Sequence, residues 1–297
     1  LIVSQAATLI GFDGVFPEIA LALRYDFLQQ ALAGTVLMGI ACGLMGALLL
    51  LRRMALFGDA IGHAVLPGVM VGYLLGGKQF AWIFAGALLA GMVAASAVFW
   101  IPQASRLRPD AAMGAVFTGM FGLGIALLSR YQSGSGGVSG LLFGHALGIG
   151  PSEVTWAFGN LLVVLLLLGV AWKPLKLMSF DPIQAEVTGA PTRALTHLLM
   201  LVLTATIVVS LPMVGAVLVA ALLILPAAAA SLVARHFGTL LLLAGTGGGA
   251  SALVGLWASH TWGLASGASI VLSASALFVL VGCVSGARKY MASVRHG

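Results

Sequence analysis

An aspartate and a histidine four residues apart, Asp59 and His63, sit in the otherwise apolar stretch "GDAIGHAVLPG". Residues i and i+4 share one face of an α-helix, so the carboxylate and the imidazole would point the same way. Pro67 follows four residues later. A proline has no N–H to return to the carbonyl of His63, which frees one more oxygen acceptor at that level. Carboxylate, imidazole and carbonyl together suit a divalent first-row cation. The same pair can instead form a neutral Asp–His hydrogen bond that staples two helices, and the residues alone leave the two alternatives about equal. Gly58 and Gly68 flank the pair and the proline and would shape the space around them.

A second group of residues has the chemistry of a docking segment. In "KPLKLMSFDPIQAEVTGAP", residues 173–191, Asp181 is placed to cap a helix, with Pro182 at its first position and Gln184 at its third. Gly189 can close the helix and Pro191 prevents it from continuing. The spacing predicts a short helix over Pro182–Thr188, offering polar Gln184 and Glu186 to a partner, or else an ordinary surface helix.

Other chemistry is weaker or missing. Gly137–Gly140 in "SGSGGVSG" carries the Gly-x-Ser-Gly of intramembrane serine proteases, with Ser139 as the nucleophile. It lies in a Ser/Gly-rich loop, and neither His145, His197 nor His260 is set to form a dyad with it. None of the lysines stands in a P-loop, so ATP hydrolysis by that route is excluded. Cys42 and Cys283 each lie in an apolar run and read as small core residues, with no disulfide or zinc pattern. His145 and His260 fall on the expected outer side; His197, His236 and His296 fall on the inner side.

The elements that must hold these residues follow from composition. Of 297 residues, 61% are hydrophobic and 7% charged, against about 25% charged in a soluble domain. Such a chain cannot cover a water-facing surface, and its apolar runs reach the ~20 residues that span a bilayer as a helix. Alternating ten-residue strands are absent, which argues against a β-barrel. The pattern predicts an all-α polytopic bundle of about nine transmembrane helices (range 8–10), at 28–51, 55–75, 80–100, 111–129, 155–172, 194–211, 213–234, 239–259 and 267–286. Residues 1–27 read as an external or interfacial lead-in without a cleavable signal pattern, 28–286 as the membrane domain, 173–193 as its inner-side connector and 287–297 as a tail.

The net charge of +6 sits mostly in short loops, so it argues for topology and against nucleic acid. Arg52, Arg53, Arg106, Arg108, Lys173, Lys176, Arg193, Arg235, Arg288, Lys289 and Arg295 fall on one side, and only Arg24, Lys78 and Arg130 on the other. The rich side is expected to be cytoplasmic, with the N-terminus outside and the C-terminus inside. Gly39/Gly43, Gly58/Gly62, Gly68/Gly72, Gly245/Gly249 and Gly282/Gly286 are pairs four apart, a spacing that lets helix backbones approach closely. In this setting Asp59 would lie ~6 Å and His63 ~12 Å into a helix starting near Ala55. A charge at membrane depth costs about 2.5–3.5 kcal/mol, so such groups usually face a pathway or a partner.

Taken in order, "LRRMALFGDAIGHAVLPGVMVGYLLG" (51–76), "LRPDAAMGAVF" (107–117), "LLFG" (141–144), "SFDPIQAEVTG" (179–189) and "MVGAVLVAALLILPAAAA" (213–230) resemble the membrane subunits of ABC importers for manganese, zinc and iron. Arg52, Arg53, Met54, Gly58, Asp59, His63, Pro67 and Gly68 match the family's most characteristic segment. The sequence departs from the family near "SHTWGLASGASIVL", where Gly263 and Ala265 stand in place of an acidic residue and a proline.

The resemblance implies a type II importer-like permease that moves a divalent transition metal ion by alternating access. It implies a homodimer with the pathway near its two-fold axis, and Asp59 and His63 as metal ligands. A cytoplasmic ATP-binding-cassette ATPase dimer would engage Phe180, Asp181, Pro182, Ala185, Glu186 and Gly189. An extracytoplasmic metal-binding protein would deliver Zn²⁺ or Mn²⁺, with iron a further cargo. The permease itself would hold no permanent cofactor and catalyse no reaction. The rival expectations are the intramembrane protease and a gradient-driven ion transporter.

Overall fold

The computed structural model describes residues 26–54, 56–77, 79–131 and 149–296. The described residues form twelve helices: α1 Asp26–Leu51, α2 Phe57–Ala64, α3 Leu66–Gly76, α4 Phe80–Ala104, α5 Pro109–Tyr131, α6 Pro151–Val170, α7 Trp172–Phe180, α8 Pro182–Val187, α9 Thr192–Val214, α10 Ala216–Val233, α11 Phe237–Trp262 and α12 Ser266–His296. Eight helical segments, the second being α2 and α3 together, are long and apolar enough to cross a membrane. The apolar stretch of α10, Leu218–Val233, is shorter. At 1.5 Å per residue it spans about 24 Å, less than the ~30 Å hydrocarbon core. The nine expected spans thus each have a helix, and the seventh, 213–234, is the short one.

Several boundaries differ from the expectation. The second span is not continuous: it breaks at Val65 into α2 and α3, with Pro67 in the first turn of α3. A proline is tolerated there because first-turn N–H groups have no intrahelical acceptor. α12 runs on as a helix through His296, so 287–296 is a helical extension. The expected loop 133–140, Ser139, the "LLFG" segment, His145 and the lead-in to residue 25 lie outside the described residues.

The bundle is organised around α1, which packs against α11, α10, α6 and α9. Close approach is achieved by glycine. A Cβ on Gly39 or Gly43 would run into the backbone of Gly248 or Ala244 on α11, and one on Gly46 into the backbone of Leu223 on α10. Gly68 and Gly72 of α3 meet the backbone of Gly86 and Trp82 on α4 in the same way. Gly245 and Gly249 lie against the Leu44 and Ile40 side chains of α1. The fifth expected pair does not act as a seam: Gly282 has only Leu232 nearby and Gly286 has nothing within 4 Å. Cys42 is buried, whereas Cys283 is exposed on α12 and is not the core residue its apolar run suggested. In a membrane protein the outer face is as apolar as the interior, so composition alone does not separate them.

Buried polar groups tie α1, α6 and α9 together. The Asn160 amide of α6 donates to Thr206 Oγ1 at 3.2 Å, Ser210 Oγ donates to the Thr206 carbonyl, and Cys42 Sγ lies 3.5 Å from Ser210 Oγ. Every member of this chain has a protein partner, as buried polar groups require.

Candidate metal site and docking segment

α2 is only eight residues long, and the site is built on it. Phe57, Gly58 and Ile61 face inward and anchor it. Gly58 abuts Leu223 of α10, where a Cβ would stand 2.8 Å from the leucine Cδ1. Asp59 therefore falls in the first turn and His63 in the last. Each sits at the helix end whose dipole favours its charge, the carboxylate at the N-terminus and an imidazolium at the C-terminus.

The two side chains share the expected face. His63 Nε2 lies 3.7 Å from Asp59 Oδ1, close enough for electrostatic attraction and too long for a hydrogen bond. Half of the Asp59 side chain is open, but only 20% of His63 is. His63 Nδ1 is buried with no hydrogen-bond partner. It is Nε2 that faces the carboxylate; a buried Nδ1 without a partner among the described residues is an exception that buried polar groups rarely show.

The imidazole is walled by two aromatic rings that the sequence did not single out. Phe117 and Phe121 of α5 hold their ring centroids 5.6 and 5.5 Å from that of His63, tilted and edge-on respectively. They are themselves four residues apart, the one signal that could have marked them as a face. Gly124, one turn further along α5, lies under Leu66 and Pro67, so α5 covers both the site and the break in the second span. The freed carbonyl is real but partly claimed: Val65 N–H is directed at both the Ile61 and His63 carbonyls.

Among the described residues no three His, Cys, Asp or Glu side chains come together. One chain thus brings two side-chain ligands to this place. A tetrahedral or octahedral cation would need the rest from backbone, water or a second copy. His260 is exposed at the end of α11, far along the sequence from this group. His197 is engaged elsewhere, its Nε2 3.0 Å from Ser96 Oγ and its ring stacked 5.0 Å from Phe99. His236 is at the N-cap of α11.

The docking segment forms as the capping residues dictate. Asp181 Oδ1 accepts the Gln184 N–H at 2.9 Å, and Pro182 is the first residue of α8. Gly189 takes φ +76°, a left-handed conformation that a residue with a Cβ adopts at a cost. Its neighbour Ala190 donates back to the Ala185 carbonyl at 3.0 Å, closing the helix. Phe180, Asp181, Pro182, Glu186 and Gly189 are all exposed, but Ala185 is fully buried and faces its own chain. The outward apolar residues are instead Ile183 and Val187, 76% and 82% exposed on a short helix outside the spans. They too are four apart, and they add an exposed apolar pair beside the expected polar Gln184 and Glu186, which are also exposed.

Comparison with known proteins follows the same boundaries. The sequence pattern of the ABC 3 transport family matches residues 24–285. The chain is 43% identical over 258 residues to the manganese transport system membrane protein MntC of Halalkalibacterium halodurans, covering 87% of each protein. It is 35% identical over 269 residues to the chelated iron transport system membrane protein YfeD of Yersinia pestis, covering 90% of this chain and 88% of that one. Among solved structures, PsaBC from Streptococcus pneumoniae in complex with Fab superposes with a TM-score of 0.77 at 33% identity, over 93% of this chain and 95% of that chain.

Proposed function

Since the chain belongs to the ABC 3 transport family, we propose that it is the permease of an ATP-driven importer for a divalent transition metal ion, with Mn²⁺ as the favoured cargo. The observation that carries this is the α2 pair: a half-open carboxylate on Asp59 with the Nε2 of His63 3.7 Å from it, on a helix otherwise buried among apolar neighbours. Carboxylate and imidazole donors suit manganese and iron as well as zinc. The manganese and iron transport names of the relatives favour the first two.

In this mechanism two copies flank the pathway and each offers Asp59 and His63 to the passing ion. Two ligands per copy hold it loosely enough to leave, as conduction requires. Phe117 and Phe121 keep bulk water from the imidazole, which strengthens its electrostatic attraction to the cation. The α7–α8 segment lies on the cytoplasmic side with the Lys- and Arg-rich loops, and the apolar face of Phe180, Ile183 and Val187 receives the ATPase. A binding protein on the outer side supplies the ion. The rival protease depends on Ser139 alone, and no described residue supports it.

The test is Mn²⁺ uptake into vesicles holding the permease, its ATPase and the metal-loaded binding protein. Asp59→Asn and His63→Ala should assemble normally and lose at least the roughly tenfold that even an outer-shell change costs a metal site. Uptake at the wild-type rate in both variants would sink the site. Competition by Zn²⁺ or Fe²⁺ stronger than by Mn²⁺ itself would reassign the cargo.

A further inference from the structure

Between the docking segment and the metal pair lies one charged side chain with an unusual set of contacts. Arg52 opens the turn after α1, and its Nη1 donates to Thr196 Oγ1 in the first turns of α9 at 2.9 Å. Its Nε and Nη2, the edge that normally grips a carboxylate side-on, are buried and have no partner. Burial lowers the Arg52 pKa to about 10, so the group stays charged at neutral pH. A half-satisfied buried cation stabilises a fold less than an apolar side chain of the same volume would. Packing alone therefore does not account for an arginine here.

Its neighbours link two parts of the molecule. On one side, Thr196 Oγ1 donates to the Thr192 carbonyl at 2.8 Å and lies in contact, at 3.8 Å, with Sδ of the buried Met178 on α7. α7 leads through the Asp181 cap directly into α8 and its exposed apolar face. On the other side, Arg53 adopts φ +58°, Met54 N–H bonds the Leu49 carbonyl at 3.1 Å, and Phe57 N–H bonds the Met54 carbonyl at 3.0 Å. The turn is thus tied to α1 at one end and to the first residue of α2 at the other. Phe57 is fully buried, and Asp59 follows two residues later.

We propose that Arg52 is a positioning residue that couples the α7–α8 segment to the metal-binding helix α2 through its single bond to Thr196. This rests on the functional reading above. A single tie can break and re-form as α7 moves, whereas a fully paired guanidinium would lock the two parts together. The free Nε–Nη2 edge leaves the side chain able to exchange partners during that movement.

The experiment uses the complete transporter in proteoliposomes, with Mn²⁺ as the probe, and measures ATP hydrolysis and uptake in parallel. Thr196→Val and Arg52→Met should leave complex assembly, ATP hydrolysis and the KM for Mn²⁺ unchanged. Ions moved per ATP should fall by about fivefold or more, the lower range of a site-to-site coupling. Thr196→Ser, which restores the hydroxyl, should restore the ratio. Wild-type stoichiometry in Thr196→Val would overturn the proposal. So would a proportional fall of assembly, hydrolysis and uptake that Thr196→Ser did not rescue, since that is the behaviour of a packing residue. Failure of the wild-type transporter to move Mn²⁺ on ATP would instead refute the functional reading itself.

Discussion

α1 and α5 are both long apolar helices, yet they are held in opposite ways. In the most apolar stretch of α1, 72% is buried within the chain; in that of α5, only 17%. α1 meets α11 and α10 backbone to backbone at Gly39, Gly43 and Gly46. α5 touches the bundle along one stripe, where Phe117, Phe121 and Gly124 lie over His63, Leu66 and Pro67. A Cβ on its outward glycines, Gly114, Gly119 and Gly122, would meet nothing within 4 Å among the described residues. The proposed metal pair on α2 stands between the closely packed seam, which it reaches through Leu223 of α10, and this lightly held wall. A pathway that must open on alternate sides needs both: a fixed element that keeps the ligands in register and a wall that moves at low cost.

The largest effect should come from the seam. Gly46→Val drives a side chain into the Leu223 backbone, which cannot yield as a flexible side chain does. The loss should exceed the ~1–3 kcal/mol of ordinary overpacking, seen as little folded permease and an early thermal transition. Wild-type yield and melting would show that α1 is not the fixed element. On the wall, Phe121→Ala should cost about 0.5–1.5 kcal/mol of aromatic contact while clearly altering Mn²⁺ uptake. Equal and large losses of stability and uptake would make α5 part of the scaffold. Smallest of all, Gly119→Ala on the open side of α5 should change stability by no more than the ~1 kcal/mol difference in helix propensity. A marked drop in the assembled transporter would mean that the outer face of α5 is tightly covered there.

Much of this was legible from residue types and spacing. Length and apolarity place the spans because a bilayer imposes a fixed thickness on any helix that crosses it. The Asp181 cap and the Gly189 closure were legible because capping is local chemistry, decided within a few residues. The shared face of Asp59 and His63 follows from helical period alone. What depended on distant partners was not legible. The break at Val65 reflects how Phe57, Gly58 and Ile61 dock as much as Pro67. Phe117 and Phe121 were not singled out because only the packing of α5 over α2 brings them to His63. Ala185, expected among the ATPase-facing residues, is buried, because a six-residue helix has too little pattern to reveal which side is covered. Arg52 stood out in the sequence as an inner-side charge and as part of the family's characteristic segment, but its bond to Thr196, 144 residues away, depends on the fold.

The central claim is that the ion passes in contact with His63 and Asp59, and the most direct measurement is pulsed electron paramagnetic resonance of Mn²⁺ held in the purified transporter. The wild-type complex should show nitrogen hyperfine coupling from a directly bound imidazole, lost in His63→Gln, with Mn²⁺ occupancy reduced in Asp59→Asn. Nitrogen coupling that persists unchanged in His63→Gln, with full occupancy in Asp59→Asn, would contradict it and place the ion elsewhere.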